Sequence, residues 1–253
     1  MKSHLIVGLL FSCSLVACHS MNPMQIGSKP VDHSILDSLL RQYVDGKGMV
    51  DYQAFAKDKK RLDNYLDILQ KSGPSDEWSE DEQLSYWINA YNAFTIRLII
   101  DHYPVESIKD IGSKIQIPFV NTAWDIKFIN ISGKELSLNN IEHNIIRQNF
   151  DEPRIHFALV CAAKSCPKLR NEVYTAKDLD EQLTDQAKSF LSNPSKNKIS
   201  ENEIEISKIF SWYGGDFTKE GKLINFLNKY SDTKIAVDAK KSFKKYDWSL
   251  NEQ

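Results

Sequence analysis

This 253-residue sequence lacks an excess of positive charge, an apolar run of membrane-spanning length and any internal repeat. Its formal net charge of −2 opposes approach to a phosphate backbone. The lysine pairs at 240–241 and 244–245 form only a local cluster, so we predict no nucleic-acid partner. Without repeats or low-complexity tracts, one globular domain is the simplest organisation. We also predict no bound cofactor.

The N-terminus carries a targeting signal. Lys2 precedes a short apolar run at 5–15, well below the ~20 residues that a membrane-spanning helix needs. Residues 15–18 (LVAC) then resemble the cleavage box of bacterial lipoproteins, which implies removal of residues 1–17 and acylation of Cys18. We therefore predict a lipid-anchored envelope protein that binds the membrane through Cys18. The alternative is an ordinary signal peptide with a chance cysteine.

The residues after Cys18 refine this prediction. In enteric-type sorting an aspartate at position 19 would imply retention in the inner membrane, so His19 favours the periplasmic face of the outer membrane. Residues 18–31 are predicted to form a flexible tether, and residues 32–253 a single globular domain. A substrate or envelope partner is expected, but its chemistry is not encoded in any motif.

Helical periodicity dominates the first half of the chain. Apolar residues recur at helical spacing over 32–44 and 52–70, and a third helix is predicted over 81–102. The third helix is apolar on nearly every face, so Asn89 and Asn92 are expected inside the core, where each amide needs partners. They either brace neighbouring loops or, alternatively, orient a catalytic group or offer an oxyanion donor.

The rest of the chain mixes short strands with helices. Alternation predicts a strand over 124–131, and the apolar run 154–160 predicts a buried strand. Further elements are predicted as a helix over 179–191, a hairpin over 198–206, an aromatic turn over 209–217 and a helix over 222–230. The predicted fold class is α+β, with a helix-rich N-terminal half packed on a small mixed or antiparallel sheet in a single domain.

A predicted helix over 138–150 carries Glu142 and His143. At roughly 100° per residue, Glu142 lies at the edge of the apolar face, so its carboxylate is expected to be buried and paired. The candidate partners of Glu142 are Arg147, Arg154 and His156.

Five segments, in order, resemble the domain of unknown function 547 family: YWINAYNAFTI at 86–96, SLNNIEHNIIR at 137–147, DEPRIHFALVCAAKSCPKLR at 151–170, SKIFSWYGGDF at 207–217 and YDWSLN at 246–251. The resemblance spans about 50–251 and implies kinship with bacterial secreted or lipid-anchored proteins. Because the chemistry of that family is obscure, the resemblance implies membership of the family but no particular activity. The candidate site positions that fall in these segments are Glu142, His143, Arg147, Arg154, His156, Cys161 and Cys166.

The first of three interpretations of these residues is a thiol hydrolase or acyltransferase. Cys161, at the exit of the predicted strand, would be the nucleophile. His143 or His156 would be the base, and Glu142 would orient it. We expect these four residues to converge on one pocket walled by an aromatic side chain from Trp87 or Trp212.

The second interpretation is a non-catalytic envelope module in which Cys161 and Cys166 form a disulfide, as an oxidising compartment permits. The third is a metal or thiol-redox site, because the two cysteines and two histidines are zinc-type ligands. The spacing of the histidines is not that of a zinc finger, and a redox pair would more typically be C-x-x-C. For these reasons we predict none of these residues as a metal ligand.

Overall fold

The computed structural model describes residues 29–112 and 122–253, and these ranges form an α+β fold. The predicted signal peptide and Cys18 lie outside the described residues, as does most of the predicted tether. Among the described helices, none combines the length and the apolarity that crossing a membrane requires.

Four helices build the N-terminal part: α1 (Ser34–Tyr43), α2 (Tyr52–Lys57), α3 (Lys59–Lys71) and α4 (Glu80–His102). The single helix predicted over 52–70 is therefore wrong, because the chain breaks it at Asp58. The Asp58 carboxylate accepts hydrogen bonds from Arg61 at 2.6 Å and from the Tyr43 hydroxyl at 3.1 Å. An aspartate held by such side-chain contacts favours a helix end over a helix interior.

Helix α4 is the central element of the fold. Ser79 and Glu82 form a capping box at its start, and the helix is buried on almost every side, as its apolar pattern predicts. Asn89 exchanges two hydrogen bonds with the Tyr174 backbone, at 2.8 and 2.9 Å. Asn92 likewise donates to the carbonyl of Ala158 and accepts from the amide of Val160. Both amides therefore brace loops, the simpler of the two interpretations.

A short antiparallel hairpin follows α4, formed by β1 (Ile129–Ile131) and β2 (Lys134–Leu136). The chain turns at Ser132-Gly133, and both residues have positive φ, as a tight two-residue hairpin requires. The strand predicted from residue 124 is too long, because Thr122 and Asp125 cap a short 3₁₀ helix over Ala123–Asp125.

The segment after the hairpin departs most from the prediction. The helix predicted over 138–150 contains a π-helix at Asn140–Ile146, followed by α5 (Arg147–Asn149). The buried strand predicted over 154–160 is wrong. Pro153 begins a 3₁₀ helix over Pro153–Phe157, and its N-terminus is capped by the Glu152 side chain. Burial of this segment comes from packing against α6, not from strand pairing.

The last third contains α6 (Leu179–Ser192), β3 (Lys198–Ile199), β4 (Glu203–Ile206), α7 (Ile209–Trp212), α8 (Gly214–Phe217), α9 (Leu223–Tyr230) and β5 (Lys240–Phe243). Strand β4 pairs antiparallel with β3 and parallel with β5, so the sheet is mixed. The predicted hairpin over 198–206 and the helices near 179–191 and 222–230 are confirmed. The predicted aromatic turn is instead the helix pair α7 and α8.

Two apolar clusters fill the interior. The larger joins α1–α4, the β1–β2 hairpin and the disulfide loop. The smaller surrounds Phe157 and joins α6–α9 to the three-stranded sheet. The N-terminal helices thus pack on the β1–β2 hairpin, while the mixed sheet belongs to the second cluster. The π-helix, the disulfide loop and α7–α8 meet where the two clusters adjoin, and their polar side chains face one another there.

Candidate functional site: an aromatic cavity beside a disulfide

A cavity of about 830 Å³ opens between the π-helix, the disulfide loop, α7 and the C-terminal segment. Glu142, His143, His156 and Cys161 all line it, so the four residues predicted as catalytic share one cavity. Trp212 is in its wall, as expected, whereas Trp87 is not. Its aromatic wall is formed by Tyr91, Trp124, Trp212, Tyr213, Tyr246 and Trp248. A volume of this size suits a small molecule.

Glu142 is buried, with 5% of its surface exposed, as its place on the helix predicts. The predicted direct pairing is wrong: within the described chain no ion pair joins Glu142 to Arg147, Arg154 or His156, although its charge raises the pKa of Arg147 and opposes the lowering of the pKa of His156. The carboxylate instead accepts a hydrogen bond from the Tyr91 hydroxyl at 3.2 Å. The π-helix explains the difference, since its wider turns change the direction of each side chain relative to an α-helix.

Asp216 on α8 is the shared partner of Arg147 and His156. It accepts two hydrogen bonds from Arg147, at 2.7 and 3.0 Å, and one from Nε2 of His156 at 2.8 Å. The interpretation of the sequence missed Asp216. The available signal was an aspartate directly after two glycines in an otherwise aromatic segment, WYGGDF. We refer to Arg147, His156 and Asp216 as the clamp.

Burial and charge shift the pKa values of the clamp residues. Hydrogen bonds from His156 and Arg147 hold the pKa of Asp216 far below its usual value. Burial lowers the pKa of His156, although the neighbouring carboxylate opposes that effect. The His156 ring stacks on Tyr213 with centroids 3.9 Å apart, and the Arg147 guanidinium lies 5.2 Å from the Tyr213 centroid. The clamp is thus closed on one side by an aromatic ring.

His143 is held in one orientation by Arg147. The guanidinium donates through Nη1 to Nδ1 of His143, at 3.0 Å. Because arginine has no acceptor, Nδ1 carries a lone pair and neutral His143 carries its proton on Nε2. Arg147 therefore connects His143 to Asp216 and makes no direct ion pair with Glu142.

Arg154 lies away from this cavity. It pairs with Glu152 at 2.5 Å and with Asp180 at 2.8 Å, and it donates to the Thr184 hydroxyl at 2.7 Å. These contacts fasten the Pro153–Phe157 segment to α6. Arg154 is therefore a structural residue and has no contact with the candidate catalytic group.

Cys161 and Cys166 form a disulfide, with Cα atoms 6.1 Å apart. The Tyr246 hydroxyl lies 3.3 Å from the Cys161 sulfur and 3.4 Å from the Cys166 sulfur, and it donates to them because a disulfide carries no proton. Between the cysteines, Ala162 adopts a φ of 56° and its carbonyl accepts from the Asn251 amide. In this oxidised form Cys161 has no thiolate, and the disulfide is the cysteine pairing that the second interpretation of the sequence expects.

In the part of the chain that the structure describes, no group of three or more His, Cys, Asp or Glu side chains is placed to hold a metal ion. Because both sulfurs are bonded to each other, a zinc site would first require reduction of the disulfide. The arrangement is suited to holding a ligand against aromatic rings and to fixing it with planar polar groups.

The fold and the cavity together define an α+β domain with a disulfide in the wall of an aromatic pocket. Residues 75–191 match the family model described as "Protein of unknown function, DUF547", which supports the resemblance that the sequence motifs predict. The matched segment contains α4, the π-helix and the disulfide loop, whereas Trp212, Asp216 and Tyr246 lie beyond it. No curated protein and no solved structure matches the chain.

Proposed function

We propose that this protein is a non-catalytic envelope module that binds a small ligand in the aromatic cavity. The observation that carries the proposal is the cavity itself: about 830 Å³, with six aromatic side chains in its lining and charged or polar side chains between them. Large apolar pockets with a few convergent polar groups are the usual form of small-molecule sites. The disulfide and the clamp then serve to hold the walls in place, so that the pocket is formed before the ligand arrives.

Trp212 provides the test, because it lines the cavity and is still 47% exposed. Truncating an exposed side chain should leave the fold intact. A thermal-shift screen of saccharides, amino-acid derivatives, ammonium compounds and carboxylates should find compounds that raise the melting temperature of the wild type but not of Trp212→Ala. Val237→Ala, which shortens an exposed side chain outside the cavity, is the matched control and should respond as the wild type does. No stabilising compound, or equal stabilisation of Trp212→Ala, would contradict the proposal.

We further propose that acylated Cys18 tethers this module to the periplasmic face of the outer membrane. The support is the cleavage box at 15–18. Lipid attachment of this kind gives stable association because each buried methylene contributes ~0.8 kcal/mol. Metabolic labelling with a fatty acid should mark the wild type and not Cys18→Ser. A Cys18→Ser protein that still labels and sediments with membranes would refute the tether.

Thiol catalysis by a reduced form is the second candidate function. One observation favours it: Cys161, His143 and His156 line the same cavity. A dithiol reductant would supply two electrons and two protons to the disulfide and leave two thiols. If this function is correct, iodoacetamide should modify Cys161 in the reduced protein at neutral pH faster than it modifies Cys166. Equal and slow modification of both cysteines would remove this candidate.

A further inference from the structure

Glu142 is the only carboxylate among the buried side chains of residues 29–112 and 122–253. No Lys, Arg or His of this described part lies within salt-bridge distance of Glu142, and its hydrogen-bond donors are the neutral hydroxyls of Tyr91 and Tyr213. A buried carboxylate is costly unless a cation and hydrogen bonds compensate it. A hydroxyl donor offsets only part of that cost. The carboxylate therefore lacks a direct cationic partner, and it lies in the lining of an open cavity.

The nearest arginine cannot fill this role without breaking another contact. Arg147 donates to both oxygens of Asp216 and to Nδ1 of His143, and these three contacts hold the guanidinium in place. The charge of Glu142 reaches Arg147 only at longer range, where it raises the pKa of the guanidinium. His156 likewise directs Nε2 to Asp216. The clamp thus makes its direct contacts internally and compensates the charge of Glu142 only at longer range, so a direct cationic contact to Glu142 can still be added by a ligand.

The aromatic wall already receives cations from the chain itself. The Lys109 ammonium lies 5.4 Å from the centroid of Trp248, and the Arg147 guanidinium 5.2 Å from that of Tyr213. Both distances are within the range of cation–π attraction. Beside them, Tyr246 packs against Trp212 at 4.7 Å and against Trp248 at 4.6 Å between centroids. Since Trp212 is half exposed, this aromatic group is open to an incoming molecule.

The Glu142 carboxylate and the aromatic wall together determine which ligand charge is favourable. The lining holds two cations, Lys109 and Arg147, and two carboxylates, Asp125 and Glu142, and the cations lie over the rings of Trp248 and Tyr213. Beside Trp212 and Tyr246, an anion would be repelled by the Glu142 carboxylate and by the negative faces of these two rings. A neutral apolar ligand would displace water from Glu142 and leave its charge less compensated than before. A cation improves both interactions, because the carboxylate attracts it and the ring faces accept it.

We propose that the cavity binds a small molecule bearing a quaternary ammonium group, with Glu142 as the counter-ion and the rings of Trp212 and Tyr246 as the aromatic cage. This inference rests on the proposed binding function, of which it names the ligand class. The cavity of about 830 Å³ is larger than such a group alone, so the remaining volume is available to the rest of the ligand.

The test uses a pair of probes with the same shape and different charge: choline and its neutral carbon isostere, 3,3-dimethyl-1-butanol. NMR titration of each methyl signal against the purified protein should show choline binding at least about tenfold more tightly than the isostere. Glu142→Gln should weaken choline by at least about tenfold and leave the isostere unchanged. Glu135→Gln, which neutralises an exposed carboxylate on β2, is the matched control and should bind as the wild type does.

A second variant keeps the test decisive if Glu142→Gln folds poorly. Trp212→Leu keeps an apolar side chain and removes the aromatic face, so it should weaken choline while sparing the isostere. Equal affinity for choline and the isostere in the wild type would overturn the ammonium inference. If choline does not bind and a compound of another class binds in a Trp212-dependent manner, the ammonium inference is wrong and the proposed binding function is supported. If no compound binds, both fall.

Discussion

Asp216 on α8 and Glu142 on the π-helix lie on two sides of the same group of side chains, and their surroundings differ. Asp216 contacts a guanidinium and an imidazole, and its pKa is held far below the usual range. Glu142 is more deeply buried and has a tyrosine hydroxyl as its hydrogen-bond donor. A carboxylate whose negative charge is balanced by cationic side chains of the same protein stabilises the fold. One whose direct hydrogen-bond donors are neutral tyrosine hydroxyls stays available to a cationic ligand.

The largest expected effect comes from breaking the clamp. Asp216→Asn removes the charge that holds both Arg147 and His156, and leaves a buried imidazole and a half-buried guanidinium uncompensated. We expect the free energy of unfolding to fall by about 2–4 kcal/mol, measured by chemical denaturation. Asp185→Asn is the control, because Asp185 also pairs with an arginine, Arg170, but the Asp185 side chain is 53% exposed. That change should cost less than about 1 kcal/mol. Equal losses in the two variants would show that the clamp has no special role.

The disulfide gives the next effect in size. Replacing both Cys161 and Cys166 by serine opens a short loop, for which the chain-entropy relation gives about 2 kcal/mol of lost stability. Calorimetric melting of this variant and of the wild type measures the difference. Treatment of the wild type with a dithiol should lower its melting temperature to a similar extent. If alkylation without reductant already labels both cysteines, the disulfide is absent from the protein in solution.

A smaller effect is expected from pH. Burial lowers the pKa of His33 to about 4, and it also lowers the pKa of His156. A histidine whose folded pKa is depressed is protonated more readily in the unfolded chain, so stability is full above pH ~6.5 and falls as pH decreases towards the folded pKa. Between pH 7 and 5.5 His33 should cost about 1 kcal/mol, and His156 should add to the loss in the same direction.

Urea unfolding at these two pH values measures the loss. His33 donates to or accepts from the Tyr65 hydroxyl at 2.6 Å, and His33→Gln keeps a polar group there without a titrating ring. That variant should lose less stability on acidification than the wild type. An identical pH dependence in the two proteins would mean that His33 is not a source of the effect.

The helices were predictable because the spacing of apolar residues that indicates a helix lies within the helical segment itself. Helix α4 shows this best, with its capping box at Ser79 and Glu82 and its continuous burial. The burial of Glu142 was predictable for the same reason. The strand expected over 154–160 was wrong because an apolar run does not by itself distinguish a strand from another buried segment, and Pro153 begins a 3₁₀ helix there.

The partners of the site residues were not predictable, because they come from distant parts of the chain. Asp216 lies 60 residues after His156, and Tyr246 lies 85 residues after Cys161. Spacing along the sequence favoured nearby arginines as partners of Glu142, whereas packing assigned Arg147 to Asp216 and Arg154 to Glu152. The π-helix added a change of side-chain direction that no periodicity rule anticipated.

The most direct test of the different roles of the two carboxylates measures unfolding and choline binding together in Glu142→Gln. We expect its free energy of unfolding to change by less than about 1 kcal/mol, because the amide oxygen still accepts from Tyr91 and a buried charge is removed. In the same sample choline affinity should fall at least about tenfold. A variant that loses as much stability as Asp216→Asn and binds choline like the wild type would contradict the account, since Glu142 would then be a structural group.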